Sequence, residues 1–212
     1  MKETKLIIFD LDGTLVNAYP AIIKSFNYTM EALGYFHRKD SVIRRAVGWG
    51  DKLLLKPFIK EKDLNRAVLI YRKHHKDSLV KYSKALPFAV RLLVYLKKKG
   101  YKLAVASNRP DRFSRILIRH LGFNKYFNYV LCADKLKTAK PHPEILFRII
   151  KRFHLSPAQA VYVGDMSIDA QAGSRAGVRT VIVTTGSSSK AEIKKEKPAL
   201  IIPNLRELTK VL

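Results

Sequence analysis

Two pairs of aspartates carry the clearest chemical signal in this sequence. Asp10 and Asp12 follow a first short apolar run, and Asp165 and Asp169 follow a later one. Continuous apolar runs of this kind are typical of strands buried on both faces of a parallel sheet, so the four carboxylates are predicted at the carboxyl ends of strands. Like charges that are brought together repel each other, and a hard divalent cation removes that repulsion. Because Mg²⁺ favours carboxylate, water and phosphate oxygens, the two pairs indicate a magnesium site.

The composition makes these acids difficult to dismiss as ordinary surface residues. The 212-residue chain carries 41 Lys and Arg against 17 Asp and Glu, a formal net charge of +24. Outside residues 16–83 there are 11 acidic and 27 basic residues, and four of those 11 acids belong to the two motifs. Any one of these aspartates, taken alone, could be a helix cap or a turn residue. Two pairs in so basic a chain favour a functional site.

Polar and basic residues that could complete this site lie in two other turns. Lys140 stands in a segment whose backbone is fixed by two prolines, and it could balance the charge of an aspartate and a phosphoryl group. Ser107 and Asn108 follow another apolar run and precede a predicted helix. A hydroxyl group and free backbone amides at such a position form an anion site. Each of these signals is weak alone, since surface lysines and helix N-caps are common.

The rest of the pattern predicts an α/β protein with a doubly wound parallel sheet and a Rossmann-like core. Apolar runs predict strands, and helical periodicity predicts the segments between them. The predicted strands cover residues 6–9, 101–106, 129–132, 160–163, 179–183 and 200–202. The predicted helices cover residues 89–99, 110–121, 143–153 and 168–176, followed by a terminal helix that Asn204 caps.

Residues 16–83 interrupt this alternation without a convincing strand. Their pattern predicts helices over residues 20–33, 40–47, 52–59 and 63–82. We therefore expect a catalytic core made of residues 1–15 and 84–212, with an inserted all-helical cap of residues 16–83. The insertion follows the first strand at the carboxyl edge of the sheet, where open parallel sheets bind ligands, so it is well placed to act as a lid.

Four motifs in a fixed order give the sequence a family resemblance. They are Phe9-Asp10-Leu11-Asp12-Gly13-Thr14-Leu15-Val16, Ala106-Ser107-Asn108, Lys140-Pro141-His142-Pro143 and Val163-Gly164-Asp165-Met166-Ser167-Ile168-Asp169. With these motifs the sequence resembles the haloacid dehalogenase superfamily of phosphotransferases over essentially the whole chain. The helical insertion resembles the small cap of that family. The segments 44–54, 178–186 and 205–208 are similar to its phosphoglycolate-phosphatase-like branch.

This resemblance implies a role for each motif residue. Asp10 would be the nucleophile that forms an aspartyl-phosphate, and Asp12 would protonate the leaving group and then activate water. Mg²⁺ would be bound by Asp10, the backbone carbonyl of Asp12 and Asp165, with Asp169 directly behind them or binding through water. The substrate and its phosphoryl group would be held by Thr14, Ser107, Asn108 and Lys140.

Differences between this sequence and related branches of the family limit the functions that we expect. Dehalogenases of the family lack the second aspartate of the first motif, so Asp12 favours phosphoryl transfer over carbon–halogen cleavage. The mutase branch carries a cap histidine soon after that motif, whereas no histidine precedes His37 here. A phosphonatase needs a cap lysine for a Schiff base, and this alternative stays open because lysines are abundant. The favoured function is a Mg²⁺-dependent phosphatase, a phosphoric monoester hydrolase, that acts on a small phosphorylated metabolite. The cap carries 14 basic and 6 acidic residues, and its specificity is predicted to depend on Arg45, Trp49 and Lys52.

The high charge leaves two other functions open. The same chemistry could serve a nucleotide or pyrophosphate phosphatase, and a basic nucleic-acid-binding protein could use the fold without catalysis. Basic residues are spread along the whole chain without zinc-finger spacing, so nucleic acid is not the favoured partner. His74 and His75 lie on a basic helix without acids at ligand spacing, which argues against a second metal site.

The remaining features concern compartment and assembly. The single cysteine, Cys132, excludes an internal disulfide, so a disulfide-stapled secreted scaffold is not expected. No apolar run approaches the roughly 18 residues of a membrane span. We therefore expect a soluble cytoplasmic protein with no membrane partner, either a monomer or a homodimer.

Overall fold

A parallel sheet of six strands forms the centre of the protein, whose structure is a computed structural model that describes residues 3–212. The strands within these residues are β1 (Leu6–Phe9), β2 (Val16–Asn17), β3 (Lys84–Ala85), β4 (Lys102–Ser107), β5 (Tyr129–Cys132), β6 (Ala160–Gly164), β7 (Arg179–Val183) and β8 (Leu200–Ile202). The order across the sheet is β5-β4-β1-β6-β7-β8. The chain runs outward from β1 first on one side and then on the other, so the sheet is doubly wound. The predicted fold class is confirmed.

Helices cover both faces of this sheet. The helices of the described chain are α1 (Tyr19–Ala32), α2 (Asp40–Ala46), α3 (Asp51–Leu55), α4 (Glu61–Tyr82), α5 (Ala89–Lys98), α6 (Asp111–His120), α7 (Glu144–Arg152), α8 (Ser167–Arg175) and α9 (Lys190–Lys195). Side chains of a strand point alternately to opposite faces. Accordingly Ile7 and Phe9 pack with residues of α5 and α6, whereas Leu6 and Ile8 pack with residues of α7 and α8. All four residues of β1 are completely buried, as their continuous apolar run predicts.

The register of the central strands brings three loops to one edge of the sheet. Phe9, the last residue of β1, pairs with Val105 of β4 and with Val163 of β6. The segments that follow these strands therefore begin side by side. This edge lies where the strand order reverses, which is the usual ligand-binding position of an open parallel sheet.

Helices α1 to α4 form the insertion above this edge. Helices α1 and α4 pack along each other and bury Phe26 and Met30 from α1 together with Leu64 and Tyr71 from α4. The two connections to the core pair as the antiparallel ribbon of β2 and β3. This ribbon lies close to the boundaries predicted after residues 15 and 83, and those boundaries stay a prediction.

Strand β2 and helix α9 differ from the sequence-based expectations, and the predicted terminal helix is a 3₁₀ helix over Leu205–Lys210. Val16 and Asn17 were predicted to begin the all-helical block, but they form β2, because Lys84 and Ala85 return alongside them. Helix α9 was not among the helices predicted from the sequence. Its start is nevertheless encoded locally: the Ser189 hydroxyl accepts a hydrogen bond from the Glu192 amide at 3.2 Å, as in a capping box.

The helices of residues 3–212 also bear on membrane insertion. None of them combines the length and the apolar character that a membrane crossing requires.

Candidate active site

A cavity lies between the carboxyl edge of the sheet and the cap. Its core wall carries the polar side chains of Asp10, Asp12, Asn108, Arg109 and Lys140. Its cap wall is mostly apolar and includes Val47, Gly48, Leu54, Tyr71 and His75. All of the predicted core groups except Thr14 and Asp165 line this cavity, and those two lie directly beneath it.

Lys140 is the ionic centre of the core wall. Its ammonium group lies 2.9 Å from Asp10 Oδ1 and 2.8 Å from Asp169 Oδ1, and its side chain is only 2% exposed. It also donates to the Tyr162 hydroxyl at 2.9 Å and to the Ala106 carbonyl at 3.0 Å. Burial alone would lower the pKa of Lys140, but the two carboxylates raise it above its ordinary value. The lysine is therefore a fixed positive charge beside Asp10.

Asp10 is a buried carboxyl group whose pKa lies above its ordinary value. Burial raises its pKa to about 6, although the charge of Lys140 partly opposes this shift. The neighbouring carboxylates Asp169 and Asp12 act in the same direction as burial. Such a perturbed group at the mouth of a cavity has the character of a reacting side chain.

Asp165 supplies the clearest sign of a cation site. Carboxylate oxygens of Asp10, Asp165 and Asp169 lie within 4.8 Å of one another. Asp165 Oδ1 accepts a hydrogen bond from the Thr14 hydroxyl at 2.7 Å, whereas Oδ2 is buried with no hydrogen-bond partner. A Cβ atom at Gly186 would overlap this orphaned oxygen, so the backbone there is kept bare beside it. Burial and the two other carboxylates raise the pKa of Asp165 well above its ordinary value. A hard cation with oxygen ligands fits this arrangement.

Asp169 differs from the other two acids because both of its oxygens are already engaged by the protein. Oδ2 accepts the backbone N–H groups of Asp165 and Met166, at 3.2 and 3.0 Å. Oδ1 accepts from Lys140 and, at 2.6 Å, from the Tyr162 hydroxyl. Asp169 therefore fixes both the loop that carries Asp165 and the ammonium group of Lys140.

Ser107 and Asn108 shape the loop after β4. The Ser107 hydroxyl accepts the backbone N–H of Arg109 at 3.2 Å. The Asn108 amide donates to the Lys140 carbonyl at 3.0 Å and to the cap residue Gly48 at 2.9 Å, and its carbonyl accepts from the Lys140 N–H at 2.9 Å. In this structure Asn108 thus joins the lysine loop to the cap.

Asp12 is held by a residue that the sequence analysis did not select. Arg109 donates from Nε and Nη2 to the two carboxylate oxygens of Asp12, both at 2.8 Å. Its Nη1 lies 2.7 Å from Nε2 of His75, which belongs to cap helix α4. The Arg109 side chain is 6% exposed and that of Asp12 15% exposed. The only available sequence signal was the position of Arg109 directly after Ser107 and Asn108.

The three cap residues predicted to reach inward do not line the cavity. Arg45 binds the core through the Ser187 carbonyl at 2.7 Å and the carboxylate of Glu192 at 3.0 Å. Trp49 is 43% exposed, and Lys52 is exposed on α3. The backbone of Gly48 faces inward instead, since a Cβ atom there would lie 2.6 Å from Met166 Sδ. Val47 and Gly48 therefore line the cavity at this point of the cap, whereas Trp49 does not.

Comparison with known proteins identifies the family. A family model for haloacid dehalogenase-like hydrolases matches residues 7–183. A phosphoglycolate phosphatase of Aquifex aeolicus is 32% identical over 182 residues, covering 86% of this chain and 85% of that protein. A phosphoglycolate phosphatase of Nitrosococcus oceani is 30% identical over 220 residues, covering 100% of this chain and 98% of that protein. The crystal structure of a predicted phosphoglycolate phosphatase from Haemophilus somnus matches with a TM-score of 0.93 and 27% identity, covering 100% of this chain and 99% of that one.

The chain therefore belongs to the family of haloacid dehalogenase-like hydrolases. Within that family it is a phosphatase, a phosphoric monoester hydrolase, and it is similar to phosphoglycolate phosphatases over nearly its whole length. The resemblance and the enzyme class predicted from the motifs are both confirmed.

Proposed function

We propose that this chain is a Mg²⁺-dependent phosphatase that acts on a small metabolite of the phosphoglycolate type through an aspartyl-phosphate intermediate. The observation that supports this most directly is the Asp10 carboxylate, which faces the cavity 2.9 Å from Lys140 Nζ and belongs to the buried cluster with Asp165. Relatives named as phosphoglycolate phosphatases support the substrate type.

The reaction proceeds in two displacements. A carboxylate oxygen of Asp10 attacks phosphorus, the ester P–O bond breaks, and Asp12 gives its proton to the leaving oxygen, which departs as an alcohol. Water then attacks the phosphorus of the aspartyl-phosphate, and Asp12 takes the proton of that water. Phosphate leaves and the Asp10 carboxylate is restored. Lys140 offsets the negative charge of the phosphoryl oxygens in both steps, because its ammonium group is already fixed beside Asp10.

The remaining residues hold the reacting groups in place. Asp10, Asp165 and the backbone carbonyl of Asp12 would hold Mg²⁺, which when bound neutralises charge on the phosphoryl oxygens. Thr14 orients Asp165, and Asp169 fixes the loop that presents it. Ser107 and the backbone amides after β4 would hold phosphoryl oxygens. Asn108 is a positioning residue, because it bonds to both backbone groups of Lys140.

The alternatives differ in how much of this machinery they keep. A nucleotide or pyrophosphate phosphatase would use the same residues and would differ only in its substrate. An inactive nucleic-acid-binding fold is disfavoured, because Asp10, Asp12 and Lys140 all line the cavity. We propose that the enzyme acts in the cytoplasm on a diffusible substrate, as a monomer or homodimer.

A panel of phosphate esters tests this proposal. Phosphate release is measured from phosphoglycolate, nucleoside monophosphates, pyrophosphate and p-nitrophenyl phosphate, each with Mg²⁺ and with excess EDTA. Phosphoglycolate should give the highest kcat/KM, and EDTA should abolish turnover of every ester. Rapid acid quenching followed by peptide mass spectrometry should find a phosphoryl adduct on the peptide that contains Asp10. Preference for nucleotides or pyrophosphate would replace the substrate, and full activity in EDTA would overturn the metal dependence.

A further inference from the structure

Two cationic side chains line the cavity within the described part of the chain, and they have different surroundings. Lys140 is engaged by Asp10 and Asp169, beside the predicted position of the phosphoryl group. Arg109 is engaged by Asp12, which in the proposed function donates a proton to the leaving oxygen. A cation 2.8 Å from Asp12 therefore lies beside the leaving group rather than beside the phosphoryl group.

The pair of Asp12 and Arg109 cannot persist unchanged through the reaction. Two charge-assisted hydrogen bonds from the guanidinium hold Asp12 in its carboxylate form, so this pairing must weaken when Asp12 carries the proton that it gives to the leaving oxygen. Releasing Asp12 leaves a guanidinium that is nearly inaccessible to solvent, and such a charge needs another partner. The group that replaces Asp12 must therefore be anionic.

His75 keeps Arg109 in place while this exchange occurs. A guanidinium can only donate hydrogen bonds, so Nε2 of His75 must accept the bond from Arg109 Nη1 and the imidazole is neutral. The Ser25 hydroxyl donates to the Ala21 carbonyl at 2.9 Å, which leaves its oxygen to accept from Nδ1 of His75 at 3.0 Å. Tyr71 stacks on the imidazole, with ring centroids 4.7 Å apart. His75 thus orients Arg109 from the cap without neutralising its charge.

We infer that Arg109 exchanges Asp12 for a second anionic group of the substrate, so that binding of that group frees Asp12 for proton transfer. This inference rests on the proposed function and narrows its substrate class. The substrate would be a phosphate monoester with a carboxylate on the leaving group, within one or two carbons of the ester oxygen. Arg109 would be both a specificity residue and a positioning residue for Asp12, and His75 would position Arg109.

A matched pair of substrates tests the inference. Phosphoglycolate and ethyl phosphate both release an alkyl alcohol, but only phosphoglycolate carries a carboxylate. The ratio of their kcat/KM values in the presence of Mg²⁺ therefore reports recognition of the second anion. Arg109→Gln should reduce this ratio by roughly 10–100-fold, the size expected for lost hydrogen bonds between charged groups. Ethyl phosphate carries no group that replaces Asp12, so its kcat/KM should fall by a smaller factor than that of phosphoglycolate.

Three companion variants separate recognition from folding. Arg115→Gln removes an exposed arginine that pairs with Asp111 on the same helix, and it should leave the ratio unchanged. Arg109→Lys keeps the charge without the two-pronged geometry and should restore part of the ratio. His75→Phe keeps an aromatic ring in the stack but removes the acceptor, so it should raise KM for phosphoglycolate by a larger factor than KM for ethyl phosphate. Circular dichroism checks that each variant is folded.

The outcomes distinguish this inference from the proposed function. Equal losses for both substrates in Arg109→Gln would mean that Arg109 has only a structural role, and the inference would be wrong. A wild-type enzyme that hydrolyses both substrates equally well would overturn it without any variant, while the phosphatase mechanism would stand. A wild-type enzyme that hydrolyses neither ester, nor any other ester of the panel, would overturn the proposed function itself.

Discussion

The two walls of the cavity are built in different ways. On the core wall, Asp10, Asp12 and Lys140 are fixed by ion pairs and hydrogen bonds that come from several strand ends. On the cap wall, apolar side chains such as Leu54 and Tyr71 and the bare backbone of Gly48 face the same space. The groups that we propose to react therefore stand on the sheet edge, and we propose that the cap contributes shape and excludes water.

The cationic side chains that line the cavity also belong to the core wall, although the composition of the cap suggests otherwise. The cap carries 14 basic and 6 acidic residues, yet its cations do not line the cavity in the described chain. Arg45 binds Glu192 of the core, and Arg72 binds Asp51. The cap group that reaches the core cation Arg109 is His75, which is neutral. The cap is therefore basic overall, but within the described residues none of its Lys or Arg side chains lines the cavity.

Replacing Asp10, the proposed nucleophile on the core wall, should have the largest effect on activity. Asp10→Asn removes the attacking oxygen while keeping the size of the side chain, so kcat should fall by about 10³-fold or more with little change in thermal stability. Asp77→Asn, an exposed change on cap helix α4, is the control and should retain full activity. Activity in Asp10→Asn above about 1% of wild type would contradict covalent catalysis at this residue.

Removing the proposed cation site should change how the stability of the protein responds to Mg²⁺. Asp165→Asn keeps the Oδ1 acceptor for Thr14 but replaces the buried, unpartnered oxygen with an amide. Without metal, the variant should melt at or above the wild-type temperature, because a buried charge has been removed. With Mg²⁺ at 100 times its Kd, wild type should gain about 2.7 kcal/mol, and the variant should gain almost nothing. Calorimetry with and without EDTA measures both effects, and a metal-dependent gain in the variant would contradict the assigned site.

Most of the core wall could be predicted from the sequence because its signals are local, and Arg109 is the exception. Strands β1 and β6 are continuous apolar runs, and acids follow directly where those runs end, whereas Ser107 ends β4. Once the sheet is parallel, the register must bring these ends together, so Asp10 and Asp165 are predicted as neighbours without knowledge of side-chain packing.

The cap wall could not be predicted in the same way, because its orientation depends on contacts between distant segments. Arg45, Trp49 and Lys52 flank a Gly-rich break, but the residue of this loop that lies against Met166 is Gly48. The bond between His75 and Arg109 joins residues from the cap and the core that no periodic pattern relates. By contrast, α9 was predictable, since Ser189 and Glu192 have capping-box spacing.

The neutral imidazole of the cap wall predicts a pH dependence of stability. Burial lowers the pKa of His75 well below 6.5, and the positive charge of Arg109 lowers it further, with a smaller contribution from His74. Ser25 and Tyr71, which also face the ring, carry no charge at neutral pH. The unfolded chain binds a proton below pH 6.5 that the folded protein excludes. The free energy of unfolding should therefore fall as the pH decreases through 6.5, by at most about 1.4 kcal/mol per pH unit from this group.

Two histidine-to-glutamine variants isolate the contribution of His75 to the pH dependence of stability. His75→Gln keeps an acceptor for Arg109 but does not titrate, so denaturant unfolding between pH 7.5 and 5.5 should show a shallower pH dependence than wild type. His120→Gln, an exposed change at the end of α6, should keep the wild-type slope. Identical slopes in wild type and His75→Gln would mean that folding does not lower the pKa of His75, which would contradict a neutral imidazole held against Arg109.

The smallest effects are expected from the cap cations that the sequence analysis selected. Arg45→Ala removes an exposed contact with Glu192. Hydrogen bonds from Arg45 and Ser189 lower the pKa of Glu192 to about 2, so Glu192 is ionised at every pH used for assay. Lys52→Ala changes an exposed residue of α3. Because neither side chain lines the cavity, KM for phosphoglycolate and for p-nitrophenyl phosphate should change by less than about twofold and to the same extent. A selective rise in KM for phosphoglycolate would instead support the sequence-based prediction and mean that the cap closes further and carries these cations onto the substrate.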